Sequence, residues 1–197
     1  MIAWTNFAIL LLSAMFFLYF YIRSVSPAGL ELVVGPRAYE QCRRDRLIAA
    51  GFELLVTINY VVYIFFPLPL RLPRQFPWAW WVSFLIALAI GIPALALMVR
   101  GVQDAGEETL RPTKEQPLFG GIYTKIRHPQ AVGEVFIWWV LAFVLHSPFL
   151  ALFSFFFIPV FLIMCWAEEQ DLLLRFGESY ASYCRRTGAF IPRRKRS

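Results

Sequence analysis

The sequence predicts an all-α integral membrane bundle of about five transmembrane helices. Hydrophobic residues make up 59% of the 197, above the roughly 45–50% typical of soluble domains. Mean hydropathy is +0.58, and the apolar residues fall in long runs. A hydrocarbon core about 30 Å thick takes about 20 helical residues to cross, with every backbone polar group paired inside the helix. Five segments meet or approach that requirement.

The first, Ile2 to Ile22, carries no charge and runs into Arg23 without a small-residue cleavage pattern, so it reads as a retained span rather than a cleaved signal. Ser26-Pro27-Ala28-Gly29 then breaks the helix, and Ala38 to Arg46 reads as an amphipathic surface helix. A second span from about Leu47 to Leu70 carries Glu53, and a third from about Trp78 to Val99 is expected to kink at Pro93. The fourth, Ala131 to Leu145, and the fifth, Phe149 to Ala167, are shorter. Their link at His146-Ser147-Pro148 is tight enough to impose an antiparallel hairpin. Beyond it, Phe176, Tyr180 and Tyr183 recur at helical spacing among charges, as in a cytoplasmic helix packed over the bundle. No repeat or soluble domain interrupts the chain. It reads as one membrane domain, 1–197, with amino-terminal spans over 1–99 and the polar chemistry in 100–197.

Charge sets the expected orientation. All but Arg71 and Arg74 of the 19 Lys and Arg residues lie in the first and third connecting segments and the tail. Positive residues beside spans are retained in the cytoplasm, which puts the amino terminus outside and the carboxyl terminus inside. All 13 carboxylates fall in cytoplasmic segments or cytoplasmic halves of spans. The small size suits the plasma (inner) membrane of a prokaryote. The net charge of +6 is a topology signal, for which membrane lipids with anionic headgroups are the natural partners. Basic residues interleaved with acids beside spans do not form a nucleic-acid stripe, so no nucleic acid is expected. Cys42, Cys165 and Cys184 are odd in number and lack metal-type spacing, so neither a disulfide nor a bound metal is predicted.

Polar chemistry concentrates in the tract from Gly121 to Glu134 and in Glu168-Glu169 with Phe176 to Tyr180. A hairpin between them would return the second block to the membrane face of the first. Glu53 and Glu134 sit inside apolar segments, where a central charge costs around 2.5–3.5 kcal/mol on insertion scales. They need a polar environment, either a site or interfacial pairing with Arg46 or Arg127.

The pattern Gly121-x-Tyr123-x-x-x-Arg127-His128-Pro129-x-x-x-Gly133, joined to Glu168-Glu169, Phe176-Gly177-x-x-Tyr180-x-x-Tyr183 and Pro192, resembles the isoprenylcysteine carboxyl methyltransferase family. The wider phospholipid methyltransferase group shares much of it. The likeness covers about 100–192, and the amino-terminal half is similar only in hydropathy. It implies a membrane-embedded enzyme that binds S-adenosylmethionine at the cytoplasmic face and takes a lipidic or prenylated acceptor from the bilayer. By position, the resemblance places Glu115, Gln116, Pro117, Leu118, Tyr123, His128, Pro129, Gln130, Ala131 and one of Glu168 or Glu169 around the cofactor.

Those residue types suit the ligand. Its ammonium and ribose call for carboxylates, its carboxylate for donors such as Arg127 and His128, and its base for apolar or aromatic walls such as Tyr123. Pro129 fixes a bend beside His128, and Gly133 permits close backbone approach. Two departures stand out. Ala131 replaces the usual Tyr, making Tyr180 the candidate substitute. Ile163-Met164-Cys165-Trp166 holds no counterpart of the family's substrate-handling Arg. Transfer would be a direct displacement, governed by positioning in a water-poor pocket. A carboxylate acceptor needs no general base, whereas an amine would use Glu134 or Glu168.

Two other functions fit parts of the pattern. Sterol and steroid reductase-like membrane proteins, which bind NADPH, carry a similar Arg-His-Pro-x-x-x-Gly tract followed by an acid, as Gly133-Glu134 is here. A non-enzymatic membrane protein that binds lipid or a partner would account for Ala131 and the missing arginine.

Overall fold

In a computed structural model that describes residues 1–109 and 120–193, the chain is mainly helical, without a strand among the described residues. The helices are α1 (Ile2–Ser24), α2 (Pro27–Val34), α3 (Ala38–Phe65), α4 (Trp80–Ala105), α5 (Pro129–Val144), α6 (Pro148–Phe153) and α7 (Phe157–Arg186). The stretches Ile2–Ser24, Pro27–Phe65, Trp80–Thr109 and Pro148–Arg186 are long and apolar enough to cross a membrane. α5, with 16 residues, reaches about 24 Å at 1.5 Å per residue. Such a set is what a multi-pass membrane protein needs.

Two antiparallel pairs form the frame. α1 lies along α3, fixed at one end by Arg23 and Asp45 at 2.9 Å and near the other by Asn6 Nδ2 donating to the Asn59 carbonyl at 3.2 Å. α4 lies along α5 in contact close enough that a Cβ on Gly133 would fall 2.5 Å from the Ala94 carbonyl oxygen. Gly133 is therefore the residue that lets these two backbones meet, as small residues do between membrane helices. α7 runs between the pairs, and its Phe157, Phe161 and Met164 join Leu10, Phe17, Val56, Tyr60 and Trp138 in the core. The outward faces are apolar too, with Leu12, Phe16, Ile58, Ile92, Leu95 and Leu162 exposed. A helix apolar on both faces is stable only where its outer face meets lipid or protein.

The structure alters several expected boundaries. Ala38 to Arg46 is not a separate surface helix but the first turns of α3. No Gly or Pro interrupts 38–50, and Asp45 and Arg46 are anchored to α1 at that level. The separate short helix is α2, started by Pro27 at its first turn and held by Asp171 of α7, whose Oδ1 accepts from the Ala28 and Gly29 amides at 2.8 and 3.2 Å. A carboxylate there satisfies orphan amides and meets the positive end of the helix. α4 continues through Pro93. α7 runs past Ala167 and changes direction at Gly177, whose φ of 51° lies in the left-handed region that glycine tolerates.

Candidate functional site

The ends of α1 and α4, the 3-10 turn Gly106–Thr109 after α4, the first turns of α3, the start of α5, and α7 beyond Ala167 enclose a polar cleft. Its lining includes Tyr21, Arg46, Glu108, Tyr123, Gln130, Ala131, Glu168, Arg175 and Tyr180. The two polar blocks of the sequence meet here, although α5, α6 and the apolar part of α7 separate them along the chain.

Tyr123 sits on a short 3-10 turn, Gly121–Thr124, reached by way of Gly121 at φ 56°. Asp104 Oδ2 accepts from the Ile122 amide at 2.6 Å and would clash with any Cβ on Gly121. The Tyr123 hydroxyl donates to the Gly101 carbonyl at 3.2 Å and accepts from Gln130 Nε2 at 2.9 Å; Gln130 also donates to Thr109 at 3.2 Å. Tyr183 donates to the Tyr123 carbonyl at 2.7 Å. One wall of the cleft is thus fixed at both side chain and backbone.

The opposite wall is an ionic knot. His128 caps α5, with Pro129 at the first helical position, and is 5% exposed. Its Nε2 lies 2.7 Å from Glu169 Oε1 and its Nδ1 3.5 Å from Glu168 Oε2. Consecutive residues of α7 therefore address both edges of one imidazole, and only the doubly protonated ring gives both carboxylates a donor. Burial opposes that charge, but hydrogen bonding to Cys165, Glu168 and Glu169 outweighs it and holds the His128 pKa well above the ordinary histidine range. Arg127 meets Glu169 Oε1 through Nε at 2.9 Å and Nη2 at 2.8 Å, while its Nη1 donates to the Cys184 and Thr187 carbonyls at 3.2 and 2.7 Å. The Arg127 and His128 amides donate to the Gly188 and Ala189 carbonyls at 2.9 and 3.1 Å. Phe190 lies against the His128 ring at 5.7 Å. The tail is bound down over the start of α5.

A second ionic group closes the side toward α2. Arg175 Nη2 meets Glu108 Oε1 at 2.8 Å and Nη1 lies 3.9 Å from Asp171 Oδ2. Arg46 donates through Nη1 to the Glu108 and Thr109 carbonyls at 2.9 and 2.7 Å and through Nη2 to the Ser24 carbonyl at 3.3 Å.

Several candidates thus have defined places. Tyr123, Arg127, His128, Pro129, Gln130, Ala131 and Glu168 border the cleft. Tyr180 borders it together with Ala131. Glu169 sits behind Glu168 as the partner of Arg127 and His128. Every donor-bearing nitrogen of Arg127 is engaged, so it orders the wall. Gly133 faces α4, not the cleft, and Glu134 is not among the residues that line the cleft. Glu115, Gln116, Pro117 and Leu118 lie outside the described residues. Sequence reasoning missed Tyr21, Glu108 and Arg175 as lining residues. Arg175 was readable in part, one turn beyond Asp171 on the face of α7 that carries Glu168; Tyr21 carried no signal among its aromatic neighbours.

Glu168, with a side chain 30% exposed, lines the cleft together with Tyr21, Tyr123, Tyr180, Arg46 and Arg175. The cleft volume, about 70 Å³, is small, so a larger ligand would extend through its open mouth. No family model, curated protein or solved structure matches the chain.

Proposed function

We propose that the protein is an S-adenosylmethionine-dependent methyltransferase, isoprenylcysteine carboxyl methyltransferase-like, acting on a lipidic or prenylated acceptor at the cytoplasmic membrane face. The observation that carries this reading is the meeting of Tyr123, Arg127 to Ala131 and Glu168 in one cleft. Its side chains match the ligand's groups. Glu168 suits an ammonium or a ribose, and Tyr123 and Tyr180 offer flat walls to a base.

The bound cofactor would supply an electrophilic methyl on a sulfonium. The chain's own part is to bind, orient and exclude water. Arg127, His128 and Glu169 hold the start of α5 and the tail in a fixed relation, which preserves alignment; effects of misalignment by an ångström reach about 100-fold. Glu168, steadied by His128, keeps its charge to face the ligand. Glu134 is the candidate base for an acceptor that must lose a proton.

A nicotinamide nucleotide is the second reading, because Arg46 and Arg175 line the cleft as phosphate ligands would. Both already serve Glu108, Arg175 through its carboxylate and Arg46 through its carbonyl, which favours the smaller, less anionic ligand. Equilibrium binding of S-adenosylmethionine to the detergent-purified protein tests the assignment. His128→Ala and Glu168→Ala are expected to weaken it at least 10-fold, and unchanged affinity in both variants would remove the site from this cleft.

A further inference from the structure

The end of the bundle opposite the cleft carries positive charge with nothing acidic to balance it. Arg71 and Arg74 lie in the connection from α3 to α4, and the chain has no carboxylate between Glu53 and Asp104 or between Glu134 and Glu168. Those stretches build this end, from the close of α3 and the start of α4 to the α5–α6 link. Glu53, the acid nearest to it along α3, lies about 18 Å before Phe65 at 1.5 Å per residue. Among the described residues no hydrogen bond or ion pair engages the Arg74 side chain.

Arg74 also borders a space. A cavity of about 400 Å³, several times the cleft's 70 Å³, lies between Tyr63 and Ile64 of α3, Pro67, Arg74 and Gln75 of the connection, and Leu145 after α5. Its rim is held from both sides. Leu68, 8% exposed, belongs to the core with Tyr63, and Tyr63 is stacked on Phe149 at 4.6 Å. On the other flank Phe76 is stacked on both Trp78, at 4.5 Å, and Phe143, at 5.3 Å. Pro67, Pro69, Pro73 and Pro77 stiffen the stretch between. A ligand that meets a rim already fixed loses little affinity to ordering it. Exposed Trp80 and Trp81 put this end at the membrane–water interface, where such rings gather. Ile58, Val61 and Phe65, exposed at helical spacing, run as an apolar stripe along α3 up to the same level.

We infer that this cavity holds the phosphate of an anionic glycerophospholipid, paired with the Arg74 guanidinium, while an acyl chain lies along the apolar stripe of α3. The planar fork of an arginine matches two oxygens of a phosphodiester, and the Gln75 amide adds donors. The missing carboxylates choose among headgroups. A choline or ethanolamine ammonium finds no acidic side chain here and meets two arginines, whereas a glycerol head leaves the phosphate charge to them unopposed. The stripe beside the cavity makes the ligand a lipid instead of a free phosphate, because it gives the chain an apolar surface at the level of the head. The site is separate from the cleft and does not depend on the methyl-transfer reading.

The test titrates the full chain in detergent with dioleoylphosphatidylglycerol and dioleoylphosphatidylcholine, which share their chains, and counts bound lipid by native mass spectrometry. Phosphatidylglycerol is expected to bind at least 10-fold more tightly than phosphatidylcholine, and inorganic phosphate is expected not to displace it. Arg74→Gln is expected to erase that preference and Arg74→Lys to keep part of it. Arg44→Gln removes the same charge from an exposed position at the cleft end and is expected to leave the preference intact. Ile64→Trp narrows the cavity without altering charge and is expected to weaken phosphatidylglycerol binding several-fold. A preference that survives Arg74→Gln, or falls equally in Arg44→Gln, overturns the site. Displacement by inorganic phosphate overturns the lipid as its occupant, and unchanged binding in Ile64→Trp overturns the cavity as its place.

Discussion

The two histidines of this chain sit at opposite ends of the bundle and are buried almost equally, His128 at 5% and His146 at 6% exposure. His128 stands between two carboxylates beside an arginine. His146, at a positive φ of 56° in the α5–α6 link, stands in a neutral chain. Trp78 Nε1 donates to Ser83 Oγ at 2.9 Å, and Ser83 Oγ in turn lies 2.7 Å from His146 Nδ1. Phe76 packs edge-on against that ring at 5.7 Å. One end of the molecule concentrates formal charge around a cleft, and the other closes a loop with neutral hydrogen bonds and stacked rings. Burial alone does not mark a functional histidine; the groups that face it do.

The difference predicts unequal costs for breaking each end. Glu169→Ala removes the shared partner of Arg127 and His128, whose side chains are 12% and 4% exposed. Removing one member of a buried pair costs about 3–5 kcal/mol, and denaturant unfolding in detergent is expected to show a loss near the lower figure. Gly133→Val tests the α4–α5 contact that joins the two ends. A Cβ 2.5 Å from a backbone oxygen forces the helices apart, an overpacking cost of about 1–3 kcal/mol. A Gly133→Val protein as stable as the parent would mean that the two backbones do not meet there.

pH sharpens the comparison. The raised pKa of His128 means that its charge stabilises the fold fully below the ordinary range near 6.5 and that the contribution fades as pH climbs through the raised value. The groups facing it are Glu168, Glu169, Arg127, adjacent in the chain, and Cys165. The stability gap between the parent and His128→Gln should be full below about pH 6.5 and narrow as pH rises from there toward the raised value; a gap that widened with pH would reverse the assignment. Ser83→Ala is expected to cost least, about 1 kcal/mol, because it interrupts neutral hydrogen bonds only. If it cost more than Glu169→Ala, the contrast between the ends would be misjudged.

The spans were legible because lipid imposes a length and a composition that few other environments demand. Ala38 to Arg46 shows where that stops: an amphipathic pattern fixes a face, but not whether the helix axis continues into the next segment, which Asp45 and Arg46 decide through contacts with α1. The convergence of the two polar blocks was legible from the tight link at His146-Ser147-Pro148. Individual roles were less so. Arg127 and His128 share residue types with ligand donors, yet their geometry commits them to Glu169. Gly133 allows a close approach, but to Ala94 of α4.

Calorimetric titration of the purified protein with S-adenosylmethionine, beside an identical titration with NADPH, tests the central claim most directly. The account predicts one saturable site for S-adenosylmethionine and no heat of binding from NADPH. Saturable binding of NADPH alone would contradict it and assign the cleft to a reductase.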